Sequence, residues 1–403
     1  MKVLFVNTKY NIGSTGKLTK NFLDYIKEIG HKTYCAYADG KSEGLDGEIK
    51  VKSFITRKLT ILFERLTGLV GCFSFISTLR VIRYIRRIEP DIIYLGNLHG
   101  YYINIYQLYR FIRKENIACV QIMWDEFSLT GSCTFSYDCR KFESKCIKCP
   151  RLKEYPASWF FDNSSLLFEE KRKVYDNERL VFVSVPYTIS LAKKSALLSQ
   201  KQLYPIDEAI DQENLFYPRE SIKLREDLGI PFENKIILTV AIYPSERKGC
   251  KYFLDLARRF ENDESVSFVH VGFLADKSEC PQNYIPLGFV NDQKLLATYY
   301  SLADLFVCTS FAETQPNTCL EALSCGTKIC GFNVSGIPTC ADFPFGEYVS
   351  PKDVDGLVRI VNNCSKKTPQ SIKETREYAE SRFSSKDYNR RLLDVGLKLL
   401  GRQ

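Results

Sequence analysis

Two glutamates, Glu313 and Glu321, stand with seven residues between them in Ser310-Phe-Ala-Glu-Thr-Gln-Pro-Asn-Thr-Cys-Leu-Glu-Ala-Leu-Ser-Cys-Gly326. Apolar periodicity puts the second inside a helix and the first in the loop before it. In a parallel α/β sheet, a loop that leaves a strand and enters a helix is where ligands bind. There the N–H groups of Gln315, Asn317 and Thr318 would point outward as anion donors, while Pro316 fixes the turn and donates none. A carboxylate at Glu321 suits a two-point grip on vicinal ribose hydroxyls, and Glu313 suits the hydroxyls of a sugar. The same pair also fits two solvated glutamates at a helix end. Upstream, Glu246-Arg247-Lys248-Gly249 follows a strand ending at Val240 and precedes a helix over Tyr252–Phe260. Two cations near the same sheet edge suit a diphosphate.

A second anion-binding candidate is Gly13-Ser14-Thr15-Gly16-Lys17. It fails as a P-loop, because Asn11 stands where that motif needs Gly and Leu18 where it needs Ser or Thr. What remains is a glycine loop at a helix N-terminus, whose N–H groups and dipole hold a phosphate or carboxylate; a plain strand–helix turn fits equally. A third cluster is Cys133, Cys139, Cys146 and Cys149, with five, six and two residues between successive members. Four thiols in one loop suit a structural zinc, with reduced thiols or a disulfide as the alternatives. Cys308, Cys319, Cys325 and Cys330 fall in apolar runs and read as small core residues.

Alternating strands and helices supply the scaffold. Lys2–Val6, Thr33–Ala38, Asp91–Leu95, Ala118–Met123 and Leu180–Val185 read as strands, and the rhythm restarts at Lys235–Val240, Val266–Val271 and Leu305–Cys308. Two such runs imply an α/β protein of two Rossmann-like domains with parallel sheets. The expected boundaries are residues 1–206, 207–383 and a final segment 384–403, a helix that packs back on the first domain. The join falls at Leu203 to Pro218, a helix-poor acidic stretch bracketed by Pro205 and Pro218.

With 403 residues, 45% of them apolar and 26% charged, the chain has the composition of a soluble globular protein, neither collagen-like nor disordered. The N-terminus has no secretory h-region, so its 15 cysteines read as reduced thiols in a cytosol. Residues 1–206 carry 32 Lys and Arg against 20 Asp and Glu; the remainder carries 24 against 28. A basic half implies an anionic partner. Nucleic acid is excluded by the lack of an aromatic RNA-binding string, finger spacing or basic tail. Residues 50–90 hold Lys50, Lys52, Arg57, Lys58 and Arg65, then Arg80, Arg83, Arg86 and Arg87, against Glu64 and Glu89 alone. Within them Leu66–Leu79 runs 14 residues without a charge, short of the ~18–20 that span a bilayer. A basic amphipathic helix on an anionic membrane fits, as does a core helix with a solvated basic face.

Taken together, Glu313 and Glu321, the Arg-Lys-Gly turn, Leu287-Gly-Phe-Val290 and Tyr300-Ser-Leu-Ala-Asp304 resemble the donor domain of retaining nucleotide-sugar glycosyltransferases of family 4. That family has the GT-B fold, two domains facing across a cleft. Gly13–Gly16, Asn97-Leu-His-Gly-Tyr101, Trp124-Asp125, Thr130–Cys133 and Cys146-Ile-Lys-Cys-Pro150 look like the branch acting in colanic acid and capsular polysaccharide synthesis. The resemblance implies that Glu321 holds the donor ribose, Glu313 contacts the transferred sugar and Lys248 holds the diphosphate, with Arg247, Phe289 and Val290 also on the donor. It implies a UDP- or GDP-hexose donor, no required cofactor or metal, and a lipid-linked saccharide acceptor at the inner face of the plasma membrane. Retention then follows from a front-face displacement in which the leaving phosphate oxygen takes the acceptor's proton.

Two positions depart from the family pattern. Ala241-Ile242 stands where Gly-Arg is common, with Arg247 as the replacement charge. Trp124-Asp125 stands where His-Asp is usual, which leaves Asp125 as the acidic group near the acceptor and His99 as the remaining polar contributor. His31 and His270 sit beside or within strands and read as structural. Two other activities fit the same fold, a nucleotide-sugar epimerase and a non-catalytic subunit supporting a partner transferase. Retention of Glu313, Glu321 and Lys248 argues against the second.

Overall fold

The computed structural model describes residues 1–42, 47–51, 54–241, 245–273 and 280–402. The chain separates into two compact units, Met1–Asp207 with Lys386–Gln403, and Glu208–Ser385. Each is built around one parallel sheet.

In the first unit the strands are β1 (Lys2–Tyr10), β2 (Lys32–Gly40), β3 (Glu48–Lys50), β4 (Ile92–Leu95), β5 (Ala118–Ile122), β6 (Leu180–Ser184) and β7 (Leu203–Pro205), in the order β3-β2-β1-β4-β5-β6-β7. All pairings are parallel, with Phe5 opposite Cys35 on one side and Tyr94 on the other. Helices α1 (Gly13–Glu28), α2 (Phe54–Thr67), α3 (Phe75–Ile88), α4 (Ile105–Lys114), α5 (Ser164–Tyr175) and α6 (Pro186–Ala192) make the crossovers. Sheets covered on both faces demand unbroken apolar strands, and Val3 to Val6 are all buried. On α1, Leu18, Phe22 and Ile26 recur at four-residue spacing and face the sheet.

The second unit repeats the plan with α7 (Ile222–Asp227), β8 (Lys235–Val240), α8 (Cys250–Arg258), β9 (Val266–Val271), β10 (Tyr284–Gly288), α9 (Gln293–Leu302), β11 (Leu305–Cys308), α10 (Asn317–Ser324), β12 (Lys328–Phe332), β13 (Gly346–Val349), α11 (Val354–Asn363) and α12 (Pro369–Phe383). Its sheet order is β10-β9-β8-β11-β12-β13. The cysteines expected in the core are there: Cys319, Cys325 and Cys330 are fully buried and Cys308 nearly so. The last helix, α13 (Ser385–Leu399), lies on the first sheet, where the Tyr94 hydroxyl donates to Leu392 O at 3.3 Å and Asn389 Nδ2 to Asn21 O at 3.4 Å.

Two sequence expectations are corrected. The Leu203–Pro218 stretch is not all linker, since Leu203–Pro205 pairs with β6 as an edge strand. Residues 50–90 form two helices where one was expected; the uncharged run is the end of α2, a turn and the first turn of α3. Lys52 lies outside the described residues. Among the described residues no helix is long and apolar enough to cross a membrane.

Candidate active site

Both sheets reverse their winding, between β1 and β4 in one and between β8 and β11 in the other. Outside the carboxyl ends of the strands at such a reversal, neighbouring loops part and leave a crevice. The residues singled out in the sequence follow these strands.

In the second unit, the turn after β8 is a short helical turn over Glu246–Lys248 in which Lys248 N donates to the Ser245 side chain. Gly249 closes it at φ +61°, and an added Cβ there would lie 2.1 Å from Thr309 O, so only glycine lets the turn rest against the loop after β11. Contact between the two loops continues as Phe311 N donates to Arg247 O at 2.7 Å and Arg247 Nη1 to Ala312 O at 2.7 Å. These bonds bring both cations to one carboxylate: Lys248 Nζ lies 2.6 Å and Arg247 Nη1 2.9 Å from Glu313 Oε1. From its other side Glu313 is anchored through its backbone, with its N–H to Ser335 Oγ at 3.0 Å and its carbonyl accepting from Gly336 N at 2.8 Å. Two cations on one anion leave a net positive charge at the sheet edge. The N–H groups of Asn317 and Thr318 begin α10 after Pro316 and find no carbonyl within that helix.

Glu321 sits one turn further along α10 and joins a different partner, the Tyr300 hydroxyl on α9, which donates to Glu321 Oε2 at 2.7 Å. Burial, and then the Glu321 charge, push the Tyr300 phenol well above its usual range, so it stays protonated and a donor. Gln315 is buried, and its side chain acts as a strut: Oε1 accepts from Glu208 N at 2.8 Å. Phe289 is 48% exposed and stacks on Phe273, centroids 5.9 Å apart and planes 13° from parallel. Val290 packs on the core beside it. Of the two positions that depart from the family pattern after β8, Ala241 is buried and Ile242 lies outside the described residues.

In the first unit, Gly13 opens α1 at φ +61°, with Ser14 exposed, Gly16 buried and Thr15 O accepting from Thr19 Oγ1 at 2.9 Å. The buried Asn7 clamps this loop to the one after β4, because Oδ1 accepts from Asn97 N at 3.0 Å while Nδ2 donates to Thr15 O at 3.4 Å. His99 and Asp125, 26 positions apart, meet: Nε2 to Oδ2 is 2.7 Å. The other ring nitrogen stands 3.1 Å from the Tyr155 hydroxyl, which donates to the His99 carbonyl at 3.0 Å. Asp125 Oδ1 accepts from Phe127 N at 2.9 Å, so both its oxygens are fixed. His99 and Asp125 line a small pocket with Asn97, Gln121 and Ser128. Trp124 faces away from this chemistry: its ring is buried and stacks on Phe5 at 6.2 Å.

Asn7, Tyr155 and Tyr300 carry no spacing signal, since each reaches its partner across the fold. Lys171 was equally hidden on α5. It is fully buried, with Nζ donating to Phe127 O and, at 3.1 Å, to Thr130 O, and burial lowers its pKa to about 7. Cys133, Cys139, Cys146 and Cys149 all line one pocket. Burial pushes the Cys133 thiol up to about 12, Cys146 to about 11, and Cys149 upward as well. Among the described residues no three His, Cys, Asp or Glu side chains stand close enough to hold a metal ion, so the four thiols share a pocket without forming a ligand shell. His270 is buried against the Tyr284 hydroxyl at 2.7 Å, and His31 lies 3.3 Å from the terminal amine.

Comparison with known proteins bears on this geometry. Residues 234–366, which include the Arg247–Lys248–Glu313 cluster and Glu321, match the family described as Glycosyl transferases group 1. A protein of Escherichia coli K12 named for colanic acid biosynthesis, the glycosyl transferase WcaC, is 22% identical over 293 residues, 68% of each chain. Among solved structures, sucrose-phosphate synthase of Thermosynechococcus elongatus superposes with a TM-score of 0.68 at 14% identity over 99% of both chains. HepE of Anabaena, solved with UDP and glucose, gives 0.63 at 16% identity over 98% of this chain and 99% of its own. The two parallel sheets are those of the GT-B fold, residues 234–366 carry a group 1 glycosyltransferase domain, and the chain is a glycosyltransferase.

Proposed function

We propose that this enzyme moves a hexose from a nucleotide-sugar donor to a lipid-linked saccharide acceptor in surface polysaccharide synthesis, with retention and without a divalent metal, as the family 4 enzymes do. The observation that carries the reading is the convergence of Arg247 and Lys248 on Glu313 at the reversal of a parallel sheet. In this reading the two cations and the first N–H groups of α10 take the diphosphate. Glu313 then takes hydroxyls of the transferred sugar, and Glu321, steadied by Tyr300, takes the ribose. The exposed Phe273–Phe289 stack offers a flat apolar face to a base.

The bond from the anomeric carbon to the diphosphate oxygen breaks, and the acceptor oxygen bonds to that carbon on the same face. The acceptor's proton passes to the leaving phosphate oxygen. Fixed positive charge beside that oxygen stabilises what develops there, which is the work a metal does in other transferases. In the first unit, Asp125 is assigned to an acceptor hydroxyl, with His99 and Tyr155 holding it in place; the N–H groups at Gly13–Gly16 are a further anion-binding point. UDP and glucose in the HepE structure support the donor class, and the colanic acid relative supports the polysaccharide.

A thermal-shift screen against UDP, GDP and their hexose conjugates tests the donor site. Selective stabilisation by one nucleotide, lost in Glu321→Ala, is expected. Stabilisation by none of them sinks the reading. Transfer that persists in excess chelator is expected; complete, magnesium-reversible loss overturns the metal-free mechanism.

A further inference from the structure

Helices α2 and α3 and the loop before α5 place large apolar side chains in water. On α2 these are Leu59, Leu62 and Phe63, and on the first turn of α3 Phe75, Ile76 and Leu79, each more than two-fifths exposed. The two helices are tied together, Thr60 Oγ1 to Ser74 Oγ at 2.8 Å, and Phe63 stacks on Phe73 with centroids 5.7 Å apart. Trp159-Phe160-Phe161 stands beside them: Trp159 N donates to Arg65 O at 2.6 Å, the Arg65 guanidinium lies 5.6 Å from the Trp159 ring centroid, and Asn163 Nδ2 donates to Thr67 O at 2.6 Å. Gly68, at φ +70°, lets the chain pass so close to this loop that an added Cβ would lie 2.3 Å from Phe161 O. Phe160 is 68% and Phe161 62% exposed, in a chain whose core buries most of its aromatics.

The exposed charge along these helices is mostly basic, with Glu89 at the far end of α3 the acidic exception. Past its apolar first turn, the solvent face of α3 continues with Arg80, Arg83, Arg86 and Arg87, and α2 adds Lys58. The acidic groups nearby are turned to other work: Glu64 is buried with Oε1 on Gly71 N at 3.0 Å, Asp162 accepts from Cys149 N and Ser164 N, and Glu115 meets Arg86 at 3.5 Å. Apolar side chains ringed by cations, with Trp and Phe at the tip, match a bilayer interface. A second copy of this chain would set one basic rim against another, which like-charge repulsion opposes.

We infer that α2, the first turn of α3 and the Trp159–Phe161 loop form a docking surface for an anionic lipid bilayer, with the loop inserting into the headgroup region and the arginines of α3 reading the negative surface. This inference does not rest on the assignment of the donor site, and its test reads binding alone.

The full chain is sedimented with vesicles of 30% phosphatidylglycerol in phosphatidylcholine and with phosphatidylcholine alone, at low and high salt. The expected result is binding to the anionic vesicles, weakened by salt, with a blue shift of Trp159 emission; Trp124, the other tryptophan, is buried and stays constant. F160S/F161S is expected to bind at least tenfold more weakly and to lose the blue shift at an unchanged melting temperature. R80Q/R83Q should lose about fivefold per charge on anionic vesicles only. No vesicle binding by the wild-type chain overturns the inference, and so does wild-type binding by both variants. A dimer in light scattering that F160S/F161S dissolves overturns it too, making the patch an interface between copies.

Discussion

Lys248 and Glu313 are joined by a 2.6 Å contact between Nζ and Oε1, and Arg247 reaches the same oxygen at 2.9 Å. Sixty-five positions separate the partners in the chain, so the contact exists only because β8 and β11 are neighbours in the sheet. Lys248→Ala removes one of two fixed cations from beside the leaving diphosphate. Turnover should fall about 10²-fold while the melting temperature holds, as measured by nucleoside diphosphate release. Wild-type turnover would remove Lys248 from the site.

Glu313→Gln keeps the side chain's shape but leaves Arg247 and Lys248 unneutralised. Donor diphosphate should bind as well or better, while kcat falls by about 10² because the hydroxyl grip on the transferred sugar is lost. Calorimetry with the free nucleotide against steady-state rates separates the two effects.

Tyr300→Phe deletes the hydroxyl that donates to Glu321. Without this hydrogen bond to a carboxylate, worth about 1.5 kcal/mol, the protein should lose roughly tenfold in nucleotide affinity, and with Glu321→Ala more. Calorimetric Kd values for both variants check the order; wild-type affinity in Tyr300→Phe would mean that Tyr300 positions nothing.

Asp125→Asn keeps the shape beside His99 but removes the charge. Nucleotide stabilisation should persist while transfer to acceptor drops about 10²-fold. Loss of nucleotide stabilisation instead would place Asp125 on the donor.

Glu64 offers a pH test independent of catalysis. Burial lifts its pKa to about 8, with the Gly71 N–H pulling weakly the other way. Protons therefore bind the folded state more tightly than the unfolded one, whose carboxyl titrates near ~4.3. The stability this confers is complete below pH ~4.3 and is lost as pH rises through about 8. Glu64→Gln should therefore leave urea stability at pH 4 nearly unchanged and raise it at pH 8.5 by on the order of 3 kcal/mol. Equal effects at both pH values would show that Glu64 is charged in the folded protein.

The central strands were legible because their physics is local. A strand covered on both faces must be apolar throughout, and β1, β5, β6, β8, β9 and β11 read that way. The strands missed, β3, β7, β10 and β13, lie at sheet edges, where strands are short and tolerate Pro205 and Pro286. The missed β12 is central, and its Lys-Ile-Cys-Gly-Phe sequence disguises it. Glu313, Arg247 and Lys248 could be named in advance because charged residues just past apolar strands stand out, and Asp125 and His99 because of the family resemblance. Their partners could not. Tyr155 looks like any other of the 24 tyrosines, and the Tyr300–Asp304 motif does not name its partner, until the fold brings one hydroxyl to His99 and the other to Glu321.

By itself the sequence determined the α/β rhythm, the restart at residue 235 and the loops that carry chemistry, since periodicity and turn residues act over a few positions. Only the tertiary structure decided which charges meet. It put Arg247 and Lys248 on Glu313 and left Glu321 to Tyr300, gathered four thiols around a pocket without a ligand shell, and split the basic segment into two helices beside an aromatic loop. Those outcomes depend on which strands are neighbours and on how closely backbones pass at Gly249 and Gly68, and no local pattern encodes either.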